Sequence, residues 1–116
     1  MRTDSSEIDE LFSLCSDPHR RIVLSTLLER DRVMTRDELT EAIVVHNHHV
    51  AIEEIDDAER SRITGLLHHV HLPKLADSGY LEYDHQRTLV APSARLDAAR
   101  SSLLSVLDVD LPNEAV

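Results

Sequence analysis

The chain has 116 residues and a mass of 13.1 kDa, enough for one domain with a single hydrophobic core. Hydrophobic residues make up 41% and charged residues 29% of the sequence, with a formal net charge of −10, a balance typical of a folded protein. There is no apolar run of membrane-spanning length and no signal peptide pattern, which predicts a cytoplasmic protein, and the single Cys15 excludes an internal disulfide.

The first half of the sequence predicts three helices. Ser6 is placed to cap the first one, and Asp17-Pro18, an N-cap followed by proline, predicts a second over residues 18–29. Thr35 and Glu38 have the capping-box spacing ahead of a short third helix. The side chains expected to face the core are Ile8, Leu11, Phe12 and Cys15 of the first helix, Ile22, Val23, Leu24, Leu27 and Leu28 of the second, and Leu39, Ala42 and Ile43 of the third.

A longer fourth helix is predicted to begin after Asp56, which with Glu59 forms a second capping arrangement. Its apolar stripe consists of Ile63, Leu66, Leu67 and Val70. If the helix continued with this periodicity, Leu72 would point away from the core. However, Pro73 follows Leu72 and has no N–H with which to continue the helical hydrogen bonds. We therefore expect a kink or a new short helix there, which turns Leu72 and Leu75 into the core.

Gly79 is expected to end this helix in a left-handed cap, and alternating hydrophobicity then predicts a hairpin with its turn at residues 84–87. The expected strand faces are Leu81, Tyr83, Leu89 and Ala91 on one side, and Glu82 and Asp84 on the other. Ser93 is placed to cap a last helix. Its apolar side is formed by Leu96, Ala99, Leu103 and Leu107, and the tail at 108–116 predicts no element.

This order of elements predicts an α+β protein that is mostly α. It is the order of a winged helix-turn-helix domain with a two-stranded wing and with N- and C-terminal helical extensions. We divide the chain into a winged helix-turn-helix domain with its N-terminal helix, residues 1–91, and a C-terminal dimerisation helix and tail, residues 92–116.

Two strings carry a family resemblance. HLPKLADSGYL, residues 71–81, resembles the end of the recognition helix and the entry to the wing in ArsR-like winged-helix regulators. The longer LLHHVHLPKLADSGYLEYD and the earlier SDPHRRIVLSTLLE are similar to a haloarchaeal family of small, largely uncharacterised winged-helix proteins. The resemblance covers residues 11–91 and implies a DNA-binding fold, transcription regulation and a haloarchaeal source.

The composition independently favours a halophilic source. Lys74 is the only lysine among 12 basic residues, and aromatic residues are 3% of the chain. Acidic surfaces hold water in molar salt, where repulsion between like charges is screened. The alternative is an ordinary acidic protein that is poor in lysine.

The expected DNA-binding residues lie on the exposed side of the fourth helix, just after it, and on the wing. They are Arg60, Ser61, Arg62, Thr64, Gly65, His68, His69, Lys74 and Arg87. Arginine can hold guanine or phosphate, Ser, Thr and His can reach base edges, and a glycine lets DNA approach closely. From Glu59 to Lys74 the local charge is positive, although each residue could equally belong to a solvated helix face. Arg20 and Arg21 are expected to pair with surface acids.

The sequence thus predicts a homodimeric transcriptional regulator that binds double-stranded DNA. The expected dimer surface consists of Leu96, Ala99, Leu103 and Leu107. The alternative is a protein-interaction module on the same fold that does not bind DNA, which the net charge of −10 favours.

Catalysis and cofactors find no support, because the sequence has no Gly-rich phosphate loop and no nucleophile elbow. We expect no enzyme, no cofactor and no metal. Two histidine clusters, His46/His48/His49 and His68/His69/His71, leave a regulatory metal site as a minor alternative. Cys15 lies on an apolar helix face, where a free cysteine acts as a small hydrophobe.

Overall fold

The computed structural model describes residues 5–48 and 55–110. His49, the side chain of His48 and residues 111–116 of the predicted tail lie outside the described residues. Residues 108–110 of that tail are helical, so the prediction of no element there is wrong. The described chain is mostly helical with a small antiparallel sheet, so the α+β class is confirmed.

The elements follow one another in the order that the sequence predicts, with one short strand added. They are α1 (Ser5–Leu14), α2 (Pro18–Arg30), β1 (Met34–Thr35), α3 (Arg36–Ile43), α4 (Asp57–Leu66), α5 (Leu72–Asp77), β2 (Leu81–Asp84), β3 (Leu89–Pro92), α6 (Ala94–Ala98) and α7 (Arg100–Asp110). A π-helical turn over Val44–His48 extends α3, and a second one over Leu67–His71 joins α4 to α5. None of the helices in the described part is long and apolar enough to cross a membrane.

Side-chain caps fix most of the helix starts where the sequence places them. Asp17 accepts a hydrogen bond from the backbone N–H of His19 (2.8 Å) ahead of α2, and Thr35 and Glu38 form the reciprocal capping box of α3. Asp56 and Ser93 cap α4 and α6. The prediction for Ser6 is wrong, because α1 already begins at Ser5.

The sheet has the strand order β1-β3-β2, with β3 antiparallel to both neighbours. The hairpin register pairs Tyr83 with Val90, so Val90 is the buried residue of β3. Leu89 and Ala91 therefore do not share the face of Leu81 and Tyr83, and that prediction is wrong. The hairpin loop holds four residues, 85–88, and loop length decides which residues stand opposite each other.

The core draws on all the helices and on the sheet. Its fully buried members include Leu11, Cys15, Leu24, Leu27, Leu39, Ile43, Ile63, Leu67, Leu75, Tyr80 and Val90. Two residues expected in the core are exposed, Phe12 by 43% and Val70 by 45%. In α1 the buried side is set by Leu11, Leu14 and Cys15, and Phe12 lies about 100° around the helix from Leu11.

The π turn between α4 and α5 explains why Val70 is exposed and Leu72 is buried. The N–H of Leu72 donates to the carbonyl of Leu67, five residues back. This wider turn stands directly before Pro73, which has no N–H to continue an α-helical ladder. It shifts the helix phase, so that His71, Leu72 and Leu75 face the core after it. The expected new short helix is confirmed.

Gly79 ends α5 with a left-handed residue at φ +87°. Its N–H donates to the carbonyl of Ala76 (2.9 Å), and the N–H of Tyr80 donates to that of Leu75 (3.1 Å). These two bonds form a Schellman cap and turn the chain into β2, as the sequence predicts.

The predicted last helix is two helices, broken at Ala99, and it packs within the chain. α7 lies against α1, and the expected dimer residues Leu96, Ala99, Leu103 and Leu107 are all buried in the common core. A second copy of the chain cannot reach these side chains in this arrangement. Residues on both sides of position 91 therefore build one core.

Candidate functional site

The helix pair α4–α5 presents one side to solvent. Ser61 and Arg62 of α4, His69 and Val70 of the π turn, and Lys74 of α5 are exposed, whereas Thr64, Gly65 and His68 are half-buried. Ile63, Leu67 and Leu75 hold the opposite side in the core. Most of the residues expected to contact DNA are thus collected on one helical surface, and Arg87 is exposed at the hairpin loop.

The two arginines of α4 are paired with acids. Arg60 forms a partly buried ion pair with Glu41 of α3, and Arg62 binds Glu59 through two hydrogen bonds of 3.0 and 2.6 Å. Because Arg62 donates these hydrogen bonds to the carboxylate of Glu59, its pKa is raised. The pairing with Glu41 therefore reduces the positive local charge that the sequence predicts, and Arg60 is occupied in holding α4 to α3.

Thr64 and Gly65 differ in whether they leave space beside the helix for a binding partner. The hydroxyl of Thr64 lies 3.0 Å from that of Thr40, so it joins α4 to α3. A Cβ placed on Gly65 would meet no atom within 4 Å. Gly65 therefore opens a clear approach to the helix backbone, whereas Thr64 is already hydrogen-bonded inside the chain.

His68 joins the helix to the hairpin. Its Nδ1 lies 2.6 Å from the hydroxyl of Tyr83 in β2 and 3.5 Å from Nη1 of Arg36 in α3. Its ring is edge-on to the rings of His69 and His85, with centroids 4.8 and 5.5 Å away. Side chains from three separate segments thus meet at one imidazole.

The pKa of His68 is lowered, and the causes are local. Desolvation is the largest, followed by the charges of His69, Arg36 and His85. No acidic group among the described residues counters them in this cluster. His68 is therefore held neutral at and above neutral pH.

Sequence reasoning missed Arg36 and Tyr83 as members of this cluster. Arg36 looks like a surface residue of a capping-box helix, and Tyr83 fits the apolar face of a strand equally well. Only the packing of β2 against the π turn places the Tyr83 hydroxyl on His68. A buried tyrosine hydroxyl normally finds a partner, which is the one general signal that could have pointed to such a contact.

Two cations of this surface remain without an internal partner. The side chains of Lys74 and Arg87 are exposed and make no ion pair or hydrogen bond with any other residue in 5–48 or 55–110. The side chain of Arg30, at the end of α2, is also exposed and makes no ion pair or hydrogen bond with another described residue. Lys74 and Arg87 are therefore the free cations that the surface can offer to an anion.

A second polar cluster lies at the start of α2. Asp17, His19 and His71 offer ligand atoms within 4.8 Å of one another, the one such group among the described residues. Two imidazoles and a carboxylate are a donor set that Zn²⁺ accepts. Arg20, however, donates from Nη1 to Nδ1 of His71 (3.3 Å).

The contact with Arg20 argues against a metal centre at this cluster. Arginine has no acceptor, so Nδ1 of His71 carries the lone pair and Nε2 carries the proton. A metal ion could bind Nε2 of His71 only if Nε2 lost its proton while Nδ1 still accepted a hydrogen bond from the guanidinium of Arg20. The arrangement fits a buried hydrogen-bonded network better than a metal site.

This network corrects the expectation that Arg20 pairs with an acid on the surface. Arg20 is 9% exposed, and its Nε donates to the carbonyl of Leu14 (2.7 Å). Arg21 donates to the carbonyl of Cys15 (2.6 Å). Both arginines satisfy backbone carbonyls at the end of α1, which the sequence does not reveal because these bonds depend on how α1 folds back onto α2.

Comparison with known protein families gives a match over residues 12–91, to the model of a family described as a domain of unknown function (DUF7344). No curated protein and no solved structure matches the chain.

Proposed function

The chain belongs to the DUF7344 family, a domain of unknown function, and from this premise we propose that it is a transcriptional regulator with a winged helix-turn-helix fold that binds double-stranded DNA. In this proposal α4–α5 is the recognition helix and enters the major groove. The β2–β3 hairpin is the wing and contacts the DNA beside it.

The connectivity of the described residues supports the fold assignment. A helix, a short strand, two further helices and a hairpin follow in order in winged-helix domains, and α2, β1, α3, α4–α5 and β2–β3 follow in the same order here. The strand order β1-β3-β2 puts the hairpin beside the strand that precedes α3.

The observation that carries the proposal is the contact between His68 and Tyr83. It fastens the exposed side of α4–α5 to the hairpin, so that helix and wing form one surface. Lys74 and Arg87 supply unpaired cations at this surface, and Gly65 supplies the clear approach. A surface with these features fits a groove flanked by phosphates.

The proposed contacts depend on how each side chain is held. Lys74 and Arg87 hold phosphates, and the exposed His69 and Ser61 reach base edges or the backbone. Arg62 is 55% exposed in its ion pair with Glu59, so it can turn from the carboxylate to a phosphate. Arg60 supports the helix instead of reading DNA.

The homodimer, the haloarchaeal source and the cytoplasmic location stay predictions of the sequence. Since the apolar side of the last helices is buried within one chain, a dimer would need a different surface. Phe12 of α1 and Leu104 of α7, exposed by 43% and 51%, are apolar side chains left on the two packed helices.

The decisive experiment selects genomic fragments bound by the purified protein in molar KCl and then measures the affinity for the best fragment. Lys74→Gln and Arg87→Gln are compared with Arg30→Gln, which removes an exposed cation at the end of α2. We expect each of the first two to lower the slope of log K against log salt by about 1 and the third to leave it unchanged. Absence of enrichment from a folded sample would refute DNA binding.

A protein-interaction module is the second candidate, and one observation favours it. Glu41 and Glu59 neutralise Arg60 and Arg62, in a chain whose net charge is −10. Long-range attraction to phosphate is therefore weak. If the selection fails, the same α4–α5 surface becomes the first place to substitute in a search for protein partners.

A further inference from the structure

The imidazole of His68 is held in one chemical form by its neighbours. A neutral histidine carries its proton on one ring nitrogen and a lone pair on the other, and the partners of one nitrogen decide the tautomer. Nδ1 faces Nη1 of Arg36, which can only donate. Nδ1 is therefore the acceptor, and the hydroxyl of Tyr83 at 2.6 Å donates to it as well.

The other nitrogen of His68 is left with the proton and without a partner. Nε2 makes no hydrogen bond among the described residues, and the side chain is half-buried. The N–H on Nε2 is thus a donor of fixed position on the exposed side of the recognition helix, and the ring has no acceptor left to offer.

We infer that Tyr83 and Arg36 position His68 as a neutral Nε2–H donor that reads the N7 acceptor of a purine in the major groove. The inference rests on the proposed function. In the major groove N7 of guanine and adenine accepts, while the exocyclic amino groups of cytosine and adenine donate. A donor-only imidazole therefore matches purine N7, as it does thymine O4, and is repelled by cytosine N4.

The groups around His68 keep it in this form. Arg36 of α3, His69 of the same helix and His85 of the hairpin loop all disfavour a second proton on His68, and Tyr83 contributes a neutral hydroxyl. A proton on Nδ1 would face the guanidinium of Arg36 directly. His68 therefore remains a donor of one proton at pH 8.

The first test needs no DNA. Long-range ¹H–¹⁵N NMR of the imidazoles, at pH 8 in molar KCl, reports which nitrogen of His68 is protonated. We expect Nε2–H in the wild type, a mixture of tautomers in Arg36→Met, which removes the group that can only donate to Nδ1, and no change in Tyr80→Phe, which deletes a tyrosine hydroxyl elsewhere. A wild-type Nδ1–H form, or a tautomer that Arg36→Met leaves unchanged, would overturn the inference.

The second test replaces each purine of the selected fragment in turn with its 7-deaza analogue, which turns the N7 acceptor into C–H. For the wild type we expect one position to weaken binding by about 3- to 10-fold, the value of a single hydrogen bond. The same replacement should have no effect on His68→Phe and a reduced effect on Tyr83→Phe, whose fold is checked by circular dichroism.

The two failures are distinguishable. If the folded protein binds no fragment at all, the proposed function fails and the base contact fails with it, whatever the tautomer. If the protein binds DNA but every deaza position affects the wild type and His68→Phe equally, DNA binding stands and this inference is wrong.

Discussion

His71 shows at the scale of one residue how burial controls charge in this protein. Its side chain is almost fully buried, Nδ1 accepts from Arg20, and Nε2 lies 3.8 Å from a carboxylate oxygen of Asp17. Burial lowers its pKa most, Arg20 and His19 add to the lowering, and Asp17 opposes it. The folded state therefore contains a neutral His71.

The first prediction concerns pH. Because the folded pKa of His71 lies below its ordinary value of about 6.5, the unfolded chain binds more protons as the pH falls past that value. The stability due to neutral His71 is complete above this pH and is lost as the pH falls through the folded pKa. Urea unfolding at constant KCl, from about pH 7.5 to 5.5, should show decreasing stability.

The control for this prediction is the exposed His46. His71→Phe should be less stable than the wild type but have a shallower pH dependence, with the remainder due to His68, whose pKa is also lowered. His46→Gln should retain the wild-type slope. Equal slopes in all three proteins would contradict a neutral, buried His71.

The second prediction separates the two arginines of α4 by burial. Arg60→Ala leaves the partly buried carboxylate of Glu41 unpaired, one of whose oxygens is already without a partner among the described residues. We expect a loss of about 1–3 kcal/mol in the free energy of unfolding. Arg62→Ala breaks an exposed pair and should cost less than about 0.5 kcal/mol. If the two variants lost the same free energy of unfolding in molar KCl, a structural role for Arg60 would be refuted.

At the scale of elements, the π turn decides which residues of α4–α5 face solvent. Before it the helix buries Ile63 and Leu67, and after it His71, Leu72 and Leu75. A straight α-helix would have buried Val70 and exposed Leu72. The turn therefore moves one apolar side chain to the exposed side and another into the core.

The third prediction tests this phase shift. Leu72→Ala should lower the free energy of unfolding by about 2–5 kcal/mol, because it leaves a cavity in a fully packed core. Val70→Ala should change it by less than about 0.5 kcal/mol. Similar effects of the two substitutions, measured by chemical unfolding, would show that the helix does not change phase here.

The fourth prediction uses Gly65 to separate stability from function. Alanine at this helical position meets no atom within 4 Å and should stabilise the protein by about 0.5–1 kcal/mol. If DNA approaches the helix at this point, Gly65→Ala should nevertheless bind the selected fragment more weakly. Thermal unfolding and affinity measured on one preparation test both; unchanged affinity would place the DNA contact elsewhere on the helix.

At the scale of the whole molecule, α1 and α7 close the core. Leu103, Val106 and Leu107 of α7 are buried together with Leu11 of α1. The apolar stripe of α7, which the sequence suggested was available for a dimer, therefore completes the core of its own chain. Arg95, whose guanidinium lies 4.5 Å from the ring of Tyr80 and binds Glu10 (3.0 Å), adds a polar link between the two ends of the chain.

The fifth prediction distinguishes a core helix from a dimer interface. Leu103→Ala should cost about 2–5 kcal/mol, and the loss should not depend on protein concentration, because the contacts lie within one chain. Leu104→Ala, at a neighbouring exposed position, should be nearly neutral. A loss at Leu103 that shrinks as the concentration rises would indicate an interface between subunits.

Local signals in the sequence were sufficient for the starts of α2, α3, α4 and α6, the Gly79 cap and the short helix at Pro73. Each depends on a few adjacent residues, such as Asp17-Pro18 or the pair Thr35 and Glu38. Period alone placed Ser61, Arg62 and Lys74 of α4–α5 correctly on the exposed side, but it did not place Val70 and Leu72, whose exposure the π turn decides. The hairpin register did not follow, because loop length decides it and two short strands carry too few residues to show it.

The sequence by itself determined the α+β class, the order of most elements and most of the caps, because hydrogen bonds between near neighbours and helical period depend on residues close together in the chain. Only the tertiary structure decided the partners of the polar side chains: Arg20 on His71, Arg60 on Glu41, and Tyr83 on His68. These pairs lie 15 to 51 residues apart. Such contacts form only when the core brings distant segments together, and a single sequence contains no local signal of them.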